Sequence, residues 1–245
     1  MKPAIVLLPG MDGTGELFAP LLPFLDQHFA CTAVRYPDRR ATYAQHVEVA
    51  RRELPRDRPF VLLGESFSGP VAISIAASAP QGLIGVILCA SFATSPSRLL
   101  RLLGPLAGFA SPKLVPSFLA QRTLLGKFAT PALRSAQERA LSQVSSSTLT
   151  ARLRAMSDVD VRNRVRDVTR PLLYLRAGDD RLVPRGAGDE ILALARDGEL
   201  ATIDGPHMLL QTRPAECAAR IRDFERRIRL ADMAEISAPD VAPPT

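Results

Sequence analysis

At 245 residues the chain has room for one large α/β domain, or for a core domain carrying an insertion, and two equal domains are disfavoured. Hydrophobic residues at 47% and charged residues at 23% are ordinary globular usage, which excludes a chain too polar to bury a core. The net charge of +6 is unevenly spread, and its place in the chain matters more than its size.

In chain order, short runs rich in Val, Ile and Leu alternate with helix-like stretches, the pattern of βα units around a mostly parallel, doubly wound sheet of the α/β class. The first run, Ala4 to Leu8, is stopped by Pro9, Gly10 and Asp12 too early for a signal peptide, so it reads as a strand. Further strands are expected at Ala30 to Arg35, Phe60 to Leu63, Ile84 to Ala90, Leu172 to Ala177 and Leu200 to Ile203, about six in all. Helices are expected near Glu16 to His28, Tyr43 to Leu54, Pro70 to Ala79, Gly186 to Ala195 and Pro214 to Leu230. The stretch Phe67 to Ser97 carries no charge, but Pro80, Gln81 and Gly82 divide it into pieces shorter than the ~20 apolar residues of a membrane span.

The connection from Ser95 to Thr169 has no convincing strand, and its Leu and Phe recur at helical spacing between prolines. It is expected to be a helical lid (95–169) inserted into a core formed by residues 1–94 and 170–230. Residues 231–245, with three prolines and no apolar period, are expected to be an unstructured tail. Cys31, Cys89 and Cys217 are odd in number and sit in apolar stretches, which suits buried thiols and a cytoplasmic location.

The chemistry starts at Gly64-Glu65-Ser66-Phe67-Ser68-Gly69, between a strand and a helix. A serine on so sharp a turn needs small neighbours two residues away on each side, and Gly64 and Ser68 provide them. The last position of the G-x-S-x-G pattern is altered to Ser68. A serine hydroxyl needs a general base to attack a carbonyl near neutral pH. His28 and His46 precede the serine in helical stretches, whereas His207, in Gly205-Pro206-His207, follows the last strand and so reaches the sheet edge that holds Ser66. The carboxylate that orients it should follow the strand ending at Ala177, in Gly178-Asp179-Asp180-Arg181-Leu182-Val183-Pro184. The Gly-rich loop Pro9 to Gly15 can present backbone N–H groups to an oxyanion, with Met11 expected beside Phe67. A dinucleotide cradle is the rival reading of that loop; Gly10, Gly13 and Gly15 do not fit G-x-G-x-x-G, and Asp12 would repel a pyrophosphate. There is no His/Cys cluster with ligand spacing, and neither a metal nor a cofactor is expected.

These motifs resemble those of the α/β-hydrolase superfamily from Leu7 to about Phe224. Within it the chain is similar to small bacterial carboxylesterases with a helical lid, those acting on pimeloyl-acyl-carrier-protein methyl ester among them. The resemblance implies Ser66 as nucleophile, His207 as base, Asp180 as the acid through its Asp-x-x-Val-Pro spacing, and a sheet without the superfamily's antiparallel N-terminal strands. It implies cleavage of carboxylic esters or thioesters through an acyl-enzyme. Transfer of the acyl group, or action on a carrier-bound (thio)ester, would use the same intermediate.

The insertion holds twelve Lys and Arg against four Asp and Glu, while the rest of the chain holds nineteen against twenty-one. A small or acyl-chain ester substrate is therefore expected, with an anionic acyl carrier or lipid headgroup met by a basic face that includes Arg152, Arg154, Arg162, Arg164 and Arg166. Arginines that only solubilise the insertion are the plainer alternative. Nucleic acid is not expected as a partner, since the region has few aromatics and no binding module. Phe92, Leu99 and Phe118 are candidates for the wall of an acyl pocket.

Overall fold

The chain is described by a computed structural model that covers residues 2–96 and 117–237, with no side chain described at 117–120, 232 and 234–237. Its strands are β1 (Ala4–Leu8), β2 (Ala30–Ala33), β3 (Phe60–Glu65), β4 (Leu83–Cys89), β5 (Leu172–Ala177) and β6 (Gly198–Ile203). They form one sheet in the order β2-β1-β3-β4-β5-β6, and every neighbouring pair is parallel. All five residues of β1 and all six of β3 are buried, as the apolar runs Ala4–Leu8 and Phe60–Leu63 require when helices cover both faces of a sheet.

Helices α1 (Leu22–Leu25), α2 (Tyr43–Arg52) and α3 (Gly69–Ala76) fall between the first four strands; α8 (Arg185–Leu194), α9 (Leu209–Thr212) and α10 (Pro214–Ser237) follow β5 and β6. Alternate strand residues divide the core in two. Val6, Leu8, Leu62, Val86, Leu88 and Tyr174 pack with α2, α3 and α8, while Ile5, Leu7, Val61, Leu63, Ile87 and Leu175 pack with α1, α9 and α10.

The expected helix Glu16 to His28 is a 3-10 turn at Glu16–Phe18 followed by the single turn of α1, since Pro20 and Pro23 withhold backbone donors from a longer helix. At the other end α10 runs past Leu230 to Ser237. The expectation of an unstructured tail is corrected over residues 231–237: no proline or glycine interrupts Leu230 to Ser237, so the helix continues without a breaker. Among the described residues no helix is long and apolar enough to cross a membrane.

Between β4 and β5 the described residues form α4 (Ser117–Leu124), a 3-10 turn at Gly126–Phe128, α5 (Pro131–Ser142), α6 (Ser146–Asp158) and α7 (Arg162–Asp167). Their starts are local in origin. The Thr130 hydroxyl accepts from the Leu133 N–H with Pro131 at the first helical position, and the Ser145 hydroxyl accepts from the Thr148 N–H. The insertion leaves and rejoins the core at one place, where the Val161 N–H donates to the Ala93 carbonyl at 2.8 Å and Thr94 bridges Asp160.

Candidate active site

The order β2-β1-β3 means that the chain crosses outward to β2 and then returns past β1 to β3. The loops leaving β1 and β3 therefore diverge and open a crevice at the C-terminal edge. Leu8 pairs with Gly64, which sets the Pro9 to Gly15 loop level with the turn that carries Ser66.

Ser66 has φ 47°, a left-handed conformation that a serine adopts only where its surroundings hold it. The turn leaves no space for side chains nearby. A Cβ on Gly64 would lie 2.7 Å from the Ser68 carbonyl oxygen, and one on Gly69 would collide with the Ser91 hydroxyl. The result is a serine hydroxyl held above the sheet edge, 2.8 Å from His207 Nε2.

His207 leaves β6 on the loop before α9 and is buried. Its Nδ1 lies 2.9 Å from Asp180 Oδ2 and 3.1 Å from Oδ1. Oδ1 also accepts from the N–H groups of Leu182 at 2.8 Å and Val183 at 3.0 Å, so the carboxylate is fixed by its own loop. The neighbouring Asp179 turns away: its carboxylate is half exposed and lies 3.5 Å from Lys127. The structure thus brings Ser66, His207 and Asp180 into one hydrogen-bonded line. His28 is exposed, and His46 is buried elsewhere, against Tyr36 and Phe67. Burial first, then the positive charges of Arg152 and Arg39, lower His46 to about 4 and leave it neutral.

Two peptide units, one in the Gly-rich loop and one in the Ser66 turn, have their carbonyls engaged. The Gly10 carbonyl accepts from Gly13 N–H at 3.1 Å, and the Ser66 carbonyl accepts from the Ser91 hydroxyl at 2.6 Å. A trans peptide points its C=O and N–H in opposite directions, so these bonds turn the N–H groups of Met11 and Phe67 to the other side of their planes. Phe67 also lies in the first turn of a helical segment, where N–H groups have no acceptor within the helix. Ser91 is held in turn by Tyr174, whose hydroxyl donates to the Ser91 carbonyl at 2.6 Å.

Several residues of this framework carry no sequence motif. Ser68, where the pattern has glycine, donates its buried hydroxyl to the Pro9 carbonyl and bonds the Tyr36 hydroxyl at 2.8 Å, tying the Gly-rich loop to the turn. Glu65 is buried and accepts from Gln211 Nε2 at 2.8 Å and from the Gly10 N–H. Burial raises its carboxyl to about 7; the Asp12 carboxylate adds to the rise, while the two hydrogen bonds oppose it.

The expected basic face needs correction. Arg152 is 1% exposed and bonds the Gly-rich loop, because Thr148, Leu149 and Arg152 share the buried side of α6. Their i, i+1 and i+4 spacing was the available signal. Arg162 is engaged by Asp160 and Glu190, while Arg154, Arg164 and Arg166 are exposed. Of the pocket candidates, Phe92 is fully buried in the core layer with Val159 and Val161. Leu99 lies outside the described residues, and Phe118 belongs to α4 with its side chain outside them.

A sequence model described as the alpha/beta hydrolase family matches residues 5–220. The chain is 30% identical over 225 residues to a pimeloyl-[acyl-carrier protein] methyl ester esterase of Xylella fastidiosa, covering 83% of this chain and 87% of that protein. It is 28% identical over 241 residues to the enzyme of the same name from Vibrio parahaemolyticus, covering 91% and 94%. Among solved structures, the enol-lactonase of Burkholderia xenovorans shares the fold with a TM-score of 0.80 at 15% identity, over 92% of each chain.

Proposed function

The chain belongs to the alpha/beta hydrolase family, and from that premise we propose that it hydrolyses carboxylic esters through an acyl-enzyme on Ser66. The observation that carries this reading is the continuous line from Ser66 Oγ through His207 to Asp180. In the first step His207 Nε2 takes the hydroxyl proton as Ser66 Oγ attacks the carbonyl carbon. Asp180 keeps the other ring proton on Nδ1 and stabilises the imidazolium. The N–H groups of Met11 and Phe67 receive the developing oxyanion. On collapse the C–O bond to the leaving group breaks, and His207 returns the proton to the departing alcohol. Water then repeats the sequence and releases the acid.

The substrate class we propose is supported by the relatives' chemistry and by the insertion, which we read as a lid over the Ser66 edge. The relatives named above act on a methyl ester carried by an acyl carrier protein. Arg154, Arg164 and Arg166 supply exposed positive charge on the described insertion. An acyl chain on an anionic carrier fits both. The three free thiols fit a cytoplasmic setting.

The test compares a carrier-bound acyl methyl ester with a neutral nitrophenyl ester, in chelator, at low and high salt. Wild type should hydrolyse both and Ser66→Ala neither. Changing Arg154, Arg164 and Arg166 together to Glu should lower kcat/KM for the carrier substrate by about 10-fold or more and spare the neutral ester. Added salt should produce the same selective loss, since exposed charges are screened beyond ~10 Å at 0.1 M. Equal responses from both substrates would remove the carrier from the account and leave the esterase.

A further inference from the structure

Arg152 is a buried charge whose hydrogen bonds all go to backbone carbonyls. Its Nη1 donates to the carbonyls of Met11 at 2.9 Å and Asp12 at 2.8 Å, and its Nη2 donates to the Pro37 carbonyl at 3.3 Å. Its guanidinium carbon lies 5.9 Å from the centre of the Tyr36 ring, and among the described residues its Nε has no partner. Asp12 Oδ2 is taken by the N–H and hydroxyl of Thr14 at 2.9 and 2.6 Å, and the charges of Asp12 and Asp38 offset only part of the burial that disfavours the cation. Burying a cation in this way is costly, and an apolar side chain of similar volume would fill the space with less penalty. An arginine here calls for a role beyond packing.

That role follows from what it holds. In the turn after β1, four successive carbonyls are engaged: Gly10 by the Gly13 N–H, Met11 and Asp12 by Arg152, and Gly13 by the Tyr36 N–H at 2.8 Å. Each fixed carbonyl fixes the N–H on the far side of the same peptide plane. The loop is shaped for the guanidinium as well. Gly13 has φ +70°, and a Cβ there would lie 2.5 Å from Arg152 Nη1.

We propose that Arg152 is a positioning residue for the oxyanion loop: reaching in from the insertion, it fixes the Asp12 carbonyl and so aims the Gly13 N–H of the same peptide at the Gly10 carbonyl, whose peptide carries the Met11 N–H, and this relay holds the Met11 N–H where the oxyanion forms. The inference rests on the esterase reading above. It makes the insertion part of the catalytic machinery as well as a cover. Without the guanidinium, the peptides from Met11 to Gly13 lose two of the bonds that orient them, and a rotated carbonyl would present a negative dipole to the oxyanion. The loss belongs to the transition state, where charge develops, and falls on kcat.

The experiment uses the full chain with Arg152→Met and Arg152→Lys. Steady-state hydrolysis of a nitrophenyl acyl ester is measured beside the affinity of an alkyl boronic acid, which forms a tetrahedral adduct on serine. Arg152→Met should lose about 10- to 100-fold in kcat with KM within about twofold, and boronate affinity should fall in step with kcat. Arg152→Lys should recover part of both. A cavity of about 210 Å³ lined by Asp12, Thr14, Tyr36, Pro37 and neighbours opens beside the same loop, so millimolar methylguanidinium should restore turnover to an Arg152→Ala protein. If Arg152→Met does not fold, the lysine variant carries the test, judged on a native melting transition and the same kcat deficit. Unchanged kcat in a folded variant, or a lost kcat with unchanged boronate affinity, overturns the inference. A wild-type protein that turns over no ester overturns the esterase reading instead, and the two failures are told apart by the wild-type control.

Discussion

The edge of the sheet and the helical insertion each reach the same few atoms across 141 positions of sequence: His207 to Ser66 in one case, Arg152 to Met11 in the other. The sheet makes its long-range contact by register. Once β1, β3, β5 and β6 are parallel and paired, the loops at their ends must share an edge, whatever lies between them. The insertion makes its contact by packing a helix face, with no register to fix it. The same separation is therefore easy to specify in one region and dependent on side-chain fit in the other. It follows that loss of a triad group should abolish the reaction, whereas loss of the insertion's contact should only slow it.

The largest effects should come from the sheet edge. His207→Ala and Ser66→Ala should lower kcat roughly 10⁵-fold or more, and Asp180→Asn by about 10⁴-fold, because the three act as a unit. Asp179→Asn, beside it on the same loop but paired with Lys127, should stay within about twofold. Steady-state kinetics on a neutral nitrophenyl ester, with melting curves to show that each variant folds, checks the series. A large loss in Asp179→Asn with Asp180→Asn spared would move the acid by one residue. The 10- to 100-fold kcat loss expected of Arg152→Met then ranks the insertion below the edge, and an equal loss in both regions would break the distinction between them.

Smaller effects should appear in stability against pH. Glu65, raised from 4.5 to about 7, keeps its proton in the folded protein where the unfolded chain has lost it. Its contribution is therefore present at low pH and lost as pH rises through that window. His46, lowered from 6.5 to about 4, behaves oppositely: the unfolded chain binds the extra proton, and stability is lost as pH falls through its window. The two nearly cancel where they overlap, each pKa unit being about 1.4 kcal/mol. Denaturant melts should show a shallow wild-type profile. Glu65→Gln should unmask stability that rises with pH, and His46→Gln stability that falls. Arg152→Met should narrow the His46 window, since the guanidinium is one cause of its low value. Three parallel profiles would contradict these assignments.

How much could be read beforehand divides along the same line. The strands at Ala4–Leu8 and Leu172–Ala177 stood out as apolar runs between turn residues, and Ser66, Asp180 and His207 stood next to strand ends with short motifs of their own. Arg152 had no motif. It reads as one more solubilising arginine until its place beside Thr148 and Leu149 on α6 is weighed. Ser68 read as a tolerated departure because a motif records size, whereas its hydroxyl acts through Pro9 and Tyr36, both distant in sequence. Glu65, hidden inside the motif as an unspecified position, owes its character to burial and to Gln211, which no spacing shows.

Acylation of Ser66 is tested by intact-mass and peptide analysis of the protein after reaction with a fluorophosphonate. One adduct per chain is expected, on the peptide that carries Ser66, with ester turnover lost in proportion to labelling, no adduct in Ser66→Ala and slower labelling of His207→Ala. An unlabelled Ser66 in a protein that still hydrolyses esters, or a stoichiometric adduct on another residue, would contradict it.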